Sequence, residues 1–125
     1  MAHYSRISKI LIDAPDPVHD AEVTFWEGAI GQDLEVFPGF PDFRGADLTP
    51  DGLGIIVQRL GDGSPRVHLD IHTTDVDAEV ARLEALGARK VRRQDQWWVM
   101  QDPAGLLFCV IPDRRLDETN AQRWD

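Results

Sequence analysis

A short internal repeat is the feature that most constrains how this chain can fold. The tetrapeptide Asp-Ala-Glu-Val occurs at 20–23 and again at 77–80, and each copy leads to an apolar residue followed by Gly31 or Gly87. Two copies are too few for a solenoid, which needs about three or more repeats. The repeat therefore predicts two like halves packed about a pseudo-twofold axis, with a shared cleft in which we expect the function.

The composition is that of an ordinary globular chain, predicted to form one domain: 125 residues, 42% hydrophobic and 28% charged. The net charge is −9, and because nucleic acids are bound by clustered positive charge, no nucleic-acid partner is expected. The single cysteine, Cys109, rules out an internal disulfide and favours a reducing compartment. No apolar run suits a signal peptide or a bilayer span, so we expect no membrane partner and a cytoplasmic location.

The first half of the chain predicts a strand, a helix and further strands. An apolar strand at 7–13 is followed by prolines, which are tolerated in the first turn of a helix, here predicted over 16–30. Residues 33–49, rich in phenylalanine, proline and glycine, form either two short strands or a long aromatic loop. A strand at 54–60 then precedes a glycine-rich linker at 61–65.

The second half has a clearer pattern. A strand at 67–73 is followed by Asp75, a helix N-cap residue. Apolar residues then recur on one face of a helix: Val76, Val80, Leu83 and Leu86. Three strands are predicted after it, at 89–93, 96–101 and 106–111.

Each half therefore follows the order β-α-β-β-β, and the predicted fold class is α+β. Module one covers about 5–60 and module two about 66–112, and the two close an eight-stranded cup within a single domain. The tail at 113–125 is polar and predicted to be peripheral, except for Trp124.

One strand carries most of the candidate chemistry. Because side chains alternate along a strand, His68, Asp70 and His72 share one face, which would look into whatever the sheet encloses. The other face is apolar and predicted to lie on the helices: Val67, Leu69 and Ile71. A solvated sheet face would show the same pattern, so both interpretations stay open.

Several features together resemble the vicinal oxygen chelate superfamily, over about residues 7–112. They are the paired β-α-β-β-β halves, a histidine (His68) on the first strand of the second half, an Asp-Pro-Ala-Gly turn at 102–105 and a Phe-Trp-x-x-x-Ile-Gly helix end at 25–31. Within the superfamily the chain is most similar to glyoxalase-like and bleomycin-resistance-like proteins. The resemblance implies a small-molecule site in the cup and, since such proteins often pair, a homodimer.

In metal-dependent members, the resemblance implies four ligand positions, one on the first and one on the last strand of each module. Aligning the halves, with Ile12 opposite Ile71 and Gly52 opposite Gly105, gives their equivalents here: Lys9, Ile56, His68 and Cys109. An ammonium group repels a cation and an isoleucine cannot bind one, so no metal or other cofactor is expected. A divalent ion on His68, Cys109 and a substrate oxygen is the alternative.

The same alignment predicts which side chains line the cup. If Cys109 faces inward, as the family's ligand position does, strand pairing across the turn at 102–105 puts Val99 and Trp97 inward and Trp98 outward. The predicted ligand-binding residues are Phe43, Arg44, Gln58, His68, Asp70, His72, Trp97, Val99 and Cys109.

Three functions follow as hypotheses. The first is a metal-free protein that binds an aromatic or heterocyclic small molecule, as a resistance protein does by sequestration. The second is a lyase, isomerase or ring-cleaving dioxygenase acting on vicinal oxygens, with or without a divalent metal, and with His68 or Asp70 transferring a proton. The third has no ligand, and the polar face of the strand lies in a dimer interface. The sequence favours the first.

Overall fold

The computed structural model describes residues 2–61 and 63–125, so that Asp62 of the predicted linker lies outside the described residues. The described elements confirm the α+β class, with two α-helices, one 3-10 turn at Asp16–Val18 and nine strands. In chain order they are β1 (His3–Pro15), α1 (His19–Ile30), β2 (Glu35–Phe37), β3 (Phe40–Asp47), β4 (Gly54–Leu60), β5 (Arg66–Thr73), α2 (Val76–Ala85), β6 (Arg89–Gln94), β7 (Trp97–Gln101), β8 (Leu107–Pro112) and β9 (Gln122–Trp124). Neither described helix is long and apolar enough to cross a membrane.

The chain forms two compact units. The N-terminal unit comprises the described residues of 9–68, and the C-terminal unit comprises residues 2–8 together with 69–125. Strands β1 and β5 each run from one unit into the other, because the unit boundaries fall after Ser8 and after His68.

The N-terminal unit has the strand order β2-β3-β4-β1, with β1 parallel to β4 and the other neighbours antiparallel. Helix α1 packs on one face of this sheet over a buried apolar cluster: Ile12, Ala14, Val23, Leu34, Ile55 and Val57. The helix ends at Gly31, whose φ of 72° is the left-handed conformation that glycine adopts at little cost. Of the two interpretations of residues 33–49, the two-strand one is confirmed, as the hairpin β2–β3.

The C-terminal unit has the corresponding order β6-β7-β8-β5, with β5 parallel to β8 and the other neighbours antiparallel. Asp75 is the N-cap of helix α2, and its side chain accepts a hydrogen bond of 3.0 Å from the backbone N–H of Ala78, as the N-cap prediction requires. A second core lies beneath α2: Val80, Met100 and Val110, with Trp98 and Phe108 at its edge. In chain order, β1 to β4 with α1 and β5 to β8 with α2 each follow the predicted β-α-β-β-β order.

Two sequence predictions are wrong. The tail is not peripheral, because β9 pairs antiparallel with the start of β1, with His3 opposite Trp124. Strand β1 begins earlier than predicted, and the backbone groups of its added residues take β9 as their hydrogen-bond partner, which gives a ninth strand. The apolar side chains of Val67 and Leu69 do not lie under a helix: they are 61% and 37% exposed, since α2 packs on β7 and β8 instead.

A buried carboxylate joins both chain ends to α2 in the C-terminal unit. Glu79 is fully buried and accepts 2.8 Å hydrogen bonds from His3 Nε2 and from both Nε and Nη2 of Arg82. The Arg82 guanidinium lies 3.8 Å from the ring centre of Trp124, whose Nε1 donates to Ser5 Oγ. Burial would raise the pKa of Glu79, but the hydrogen bonds from Arg82 and His3 outweigh it and lower the pKa.

We expect Glu79→Gln to lower the free energy of unfolding by about 2–4 kcal/mol, because breaking a buried ion pair leaves its partners without compensation. The loss should be greatest above the ordinary carboxyl pKa of 4.5 and shrink as pH falls through the lowered folded-state pKa, since protonation removes the same interaction from the wild type. Urea unfolding at several pH values measures both the loss of stability and its dependence on pH. The exposed Glu84 of the same helix is the control, and an equal effect of Glu84→Gln would contradict the assignment.

Candidate functional site

In each unit the described helix packs on one face of the strands, and cross-strand pairing identifies the side chains of the opposite face, here called the helix-free face. In the N-terminal unit Leu11 pairs with Ile56 and Ile56 with Gly45. The residues two positions away on each strand share that face. It is formed by Lys9, Leu11, Asp13, Phe43, Gly45, Asp47, Gly54, Ile56 and Gln58.

Lys9 spans this face from β1 to β3. Lys9, Gly54 and Asp47 are in register across three strands, and Lys9 Nζ lies 3.8 Å from Asp47 Oδ1. The lysine side chain crosses Gly54, where an added Cβ would lie 2.9 Å from Nζ, so a larger residue there would displace the end of the lysine chain. The Lys9 ammonium, 16% exposed as a side chain, is thereby held within the sheet face as a positive charge.

A cavity of about 330 Å³ opens beside Lys9 within the N-terminal unit. It is lined by charged and apolar groups: Lys9, Glu35, Val36, Phe37, Pro38, Gly45, Ala46 and Asp47. At Gly45 an added Cβ would lie 2.6 Å from the Phe37 ring, so the glycine lets this ring lie against β3. The cavity combines one aromatic wall with charges of both signs, which suits a polar organic molecule.

A buried aspartate positions His68. Asp13 is 1% exposed, and its Oδ2 lies 2.9 Å from His68 Nδ1 and accepts a 3.0 Å hydrogen bond from Arg66 Nε. Its Oδ1 is buried and has no hydrogen-bond partner among the described residues. When Nδ1 of a neutral imidazole donates to a carboxylate, Nε2 becomes the acceptor, so Asp13 sets the tautomer of His68 that can take a proton or bind a metal.

The helix-free face of the C-terminal unit is a row of directly paired residues. Asp70 pairs with Cys109, Cys109 with Val99, and Val99 with Arg92, across β5, β8, β7 and β6. Trp97 lies two residues before Val99 and so shares this face, whereas Trp98 packs on the core beneath α2. The predicted register of Cys109, Val99 and Trp97 is confirmed.

His72 is hydrogen-bonded to the first residue of the tail. Its Nδ1 lies 2.9 Å from Asp113 Oδ2, and Arg115 Nε and Nη2 also bond this carboxylate. Burial of Asp113 would raise its pKa, but the hydrogen bonds from Arg115 and His72 hold the pKa well below its ordinary range. The ionised carboxylate can only accept, so His72 Nδ1 donates to it.

The donors at the four family positions do not suit a metal. Lys9 places an ammonium there and Ile56 is a buried hydrocarbon, which leaves only His68 and Cys109. Within the C-terminal unit a further donor, Asp70, is the cross-strand partner of Cys109. Carboxylate and thiolate are ligands that zinc accepts, but two of them fall short of the three or four donors that a zinc site needs.

The remaining predicted residues separate into two groups. Phe43 and Gln58 are cross-strand partners on the helix-free face of the N-terminal unit, as the prediction required of them. Arg44 is on the opposite face, paired with Val57 of the core, and donates to the Leu34 carbonyl. Sequence reasoning missed Asp13, because nothing in the pattern of β1 indicates its contact with a histidine 55 positions away.

Comparison with known proteins places the chain in a family. A family model described as a glyoxalase-like domain matches residues 9–111. The chain belongs to the glyoxalase-like domain family. A search of curated proteins finds no match.

Solved structures share the fold at low sequence identity. The structure of an NAD-dependent benzaldehyde dehydrogenase from Legionella pneumophila is 12% identical, with a TM-score of 0.63, over 83% of this chain and 96% of that one. A methylmalonyl-CoA epimerase from Streptomyces coelicolor, solved with 2-nitronate-propionyl-CoA, is 23% identical, with a TM-score of 0.55, over 88% and 98%. A glyoxalase/bleomycin resistance protein/dioxygenase superfamily member from Vibrio splendidus 12B01 is 17% identical, with a TM-score of 0.52, over 83% and 97%. These likenesses support the glyoxalase-like fold and no particular reaction.

We expect this glyoxalase-like protein, purified without chelator, to contain less than one Zn, Ni, Mn or Fe ion per chain. The reason is that an ammonium and a hydrocarbon occupy two of the four family ligand positions. Elemental analysis by mass spectrometry measures the content. One tightly bound ion per chain that is lost in His68→Ala would contradict the expectation.

Proposed function

We propose that this glyoxalase-like protein binds a small aromatic or heterocyclic molecule, without a resident metal, on the helix-free face of its C-terminal unit. The observation that carries the proposal is the row that includes Val99 and Cys109, with the half-buried Trp97 on the same face. A tryptophan ring is large and flat and loses little conformational freedom on binding, so it can stack on a ligand ring at small entropic cost.

Polar groups at one end of this face supply orientation. Asp70 and His72 are 8% exposed each and lie on the same face of β5, so a ligand ring lying over Cys109 would have its polar edge near them. A pocket with apolar walls and a few fixed polar groups is the usual form of a small-molecule site. Sequestration of such a compound is how the protein would confer resistance.

Trp97→Ala should weaken binding of aromatic ligands by about tenfold or more, because a stacked aromatic pair contributes about 0.5–1.5 kcal/mol in addition to its buried area. Calorimetric titration of the wild type with a panel of aromatic compounds, repeated on the variant, measures this. Trp98→Ala is the matched control, because that ring packs on the α2 core. Loss of affinity only in Trp98→Ala, or in neither variant, would refute the site.

A second candidate function, proton transfer to or from a substrate, is favoured by one specific contact. The buried Asp13 holds Nδ1 of His68, and a histidine oriented by a carboxylate is a common general base. An isomerase, epimerase or lyase needs such a base beside a C–H that is made acidic by an adjacent carbonyl. Asp13 would then be a positioning residue, since it would act through His68.

For this second candidate we expect the protein to catalyse exchange of the acidic C–H of a carbonyl compound with deuterium from D₂O, followed by NMR. His68→Gln should abolish the exchange, and Asp13→Asn should slow it by about 10²-fold or more while leaving KM nearly unchanged, because a general base contributes about 10²–10⁴-fold. Exchange that is unaffected by His68→Gln, or absent across a panel of thioesters, aldehydes and ketones, would refute the catalytic function and leave only the binding function.

A further inference from the structure

The edge strand β6 carries an unusual concentration of positive charge. Four of its six residues are basic (Arg89, Lys90, Arg92 and Arg93), and all six are exposed, in a chain whose net charge is −9. Acidic partners are abundant elsewhere, and five other arginines pair with carboxylates: Arg59, Arg66, Arg82, Arg115 and Arg123.

Among the described residues, none of the three arginines of β6 has a carboxylate partner. Arg89 donates to the Gln101 side chain at 3.2 Å, Arg92 to the Gln94 side chain at 3.3 Å, and Arg93 to a backbone carbonyl. Over residues 2–61 and 63–125, no carboxylate lies within ion-pair distance of any of the three. Their charge is therefore available to an external anion.

A β-bulge in β6 determines which face of the sheet each of its basic side chains lies on. The register shifts between Lys90 and Arg92, so that Arg89 pairs with Gln101 and Arg92 with Val99. Both partners lie on the helix-free face, and without the bulge simple alternation would have put Arg92 on the other face. Lys90 and Arg93 lie on the helix side, 4.9 Å and 5.9 Å from the centre of the Trp98 ring.

Arg89 and Arg92 consequently border the face that carries Trp97. Their partners Gln101 and Val99 are two residues apart on β7, which corresponds to about 7 Å along a strand, while Arg92 lies about 5 Å from Val99 across strands. Two arginines at this backbone spacing on one face can both offer guanidinium N–H donors to the oxygens of a phosphate or diphosphate.

We propose that the ligand of this protein carries a phosphate group, bound by Arg89 and Arg92, while its ring stacks on Trp97. This inference rests on the proposed binding function and names its ligand class. A purely protective role for the charges, to keep a sheet edge from pairing with other chains, requires positive charge on β6 but no convergence of two arginines on one face.

The test compares 1-naphthyl phosphate with neutral 1-naphthol by calorimetry at low ionic strength. We expect the wild type to bind the phosphate at least about tenfold more tightly, and 0.5 M NaCl to remove most of that preference, since exposed charges are screened at such salt. The preference should fall to about twofold or less in Arg89→Gln/Arg92→Gln, and Arg92→Lys should retain only part of it, because lysine lacks the planar fork. Arg114→Gln, which alters an exposed arginine outside the strand, should leave it unchanged.

The outcomes separate the two proposals. Equal affinity of the wild type for both compounds, with both weakened in Trp97→Ala, would overturn the phosphate site and leave the binding function intact. A preference for the phosphate that persists in the double arginine variant would also overturn the phosphate site. Binding of neither compound would count against both proposals. Because all the altered arginines are exposed, unchanged circular dichroism is expected, and light scattering of the double variant tests the protective role separately.

Discussion

The turn between β7 and β8 controls the arrangement of the whole C-terminal face. Asp102 accepts hydrogen bonds from the backbone N–H groups of Ala104 and Leu106, its own N–H donates to the Leu106 carbonyl, and Gly105 takes a φ of 98°. This closed turn places Gln101 opposite Leu107 and so sets the register of both strands. A slip of one residue would bury Trp97 under α2 and turn Trp98 to the helix-free face, because side chains alternate with period two.

Buried carboxylates have different roles in the two units. In the C-terminal unit Glu79, the glutamate of the second tetrapeptide repeat, is satisfied by His3 and Arg82 and joins both chain ends to α2. Its counterpart in the first repeat, Glu22, accepts a hydrogen bond from Trp26 Nε1, one turn along the same helix. Repetition of a sequence therefore preserved the helix but not the role of its charge. In the N-terminal unit Asp13 holds a histidine and retains a buried oxygen without a partner among the described residues, which is the kind of cost that is common at functional sites.

The strand offsets used to align the two halves agree with the pairing in each unit. Ile12 pairs with Val57 on β4, and its proposed equivalent Ile71 pairs with Val110 on β8, so that Ile56 and Cys109 occupy corresponding positions. The sequence could supply these equivalences because each module repeats an apolar strand, a helix and a glycine turn. It could not supply the position of Arg92, since a bulge leaves no mark in the alternation of a strand whose residues are nearly all basic.

The sequence by itself determined the order of elements as far as β8, the C-terminal ends of both helices and which tryptophan of the adjacent pair meets the core, because these depend on local propensity, glycine conformation and period-two alternation. The tertiary structure alone decided that Asp13 orients His68, that Lys9 reaches across Gly54 to Asp47 and that the tail adds a strand to β1. Those contacts join residues tens of positions apart, and they depend on the distance between backbones in the folded chain, which no local pattern encodes.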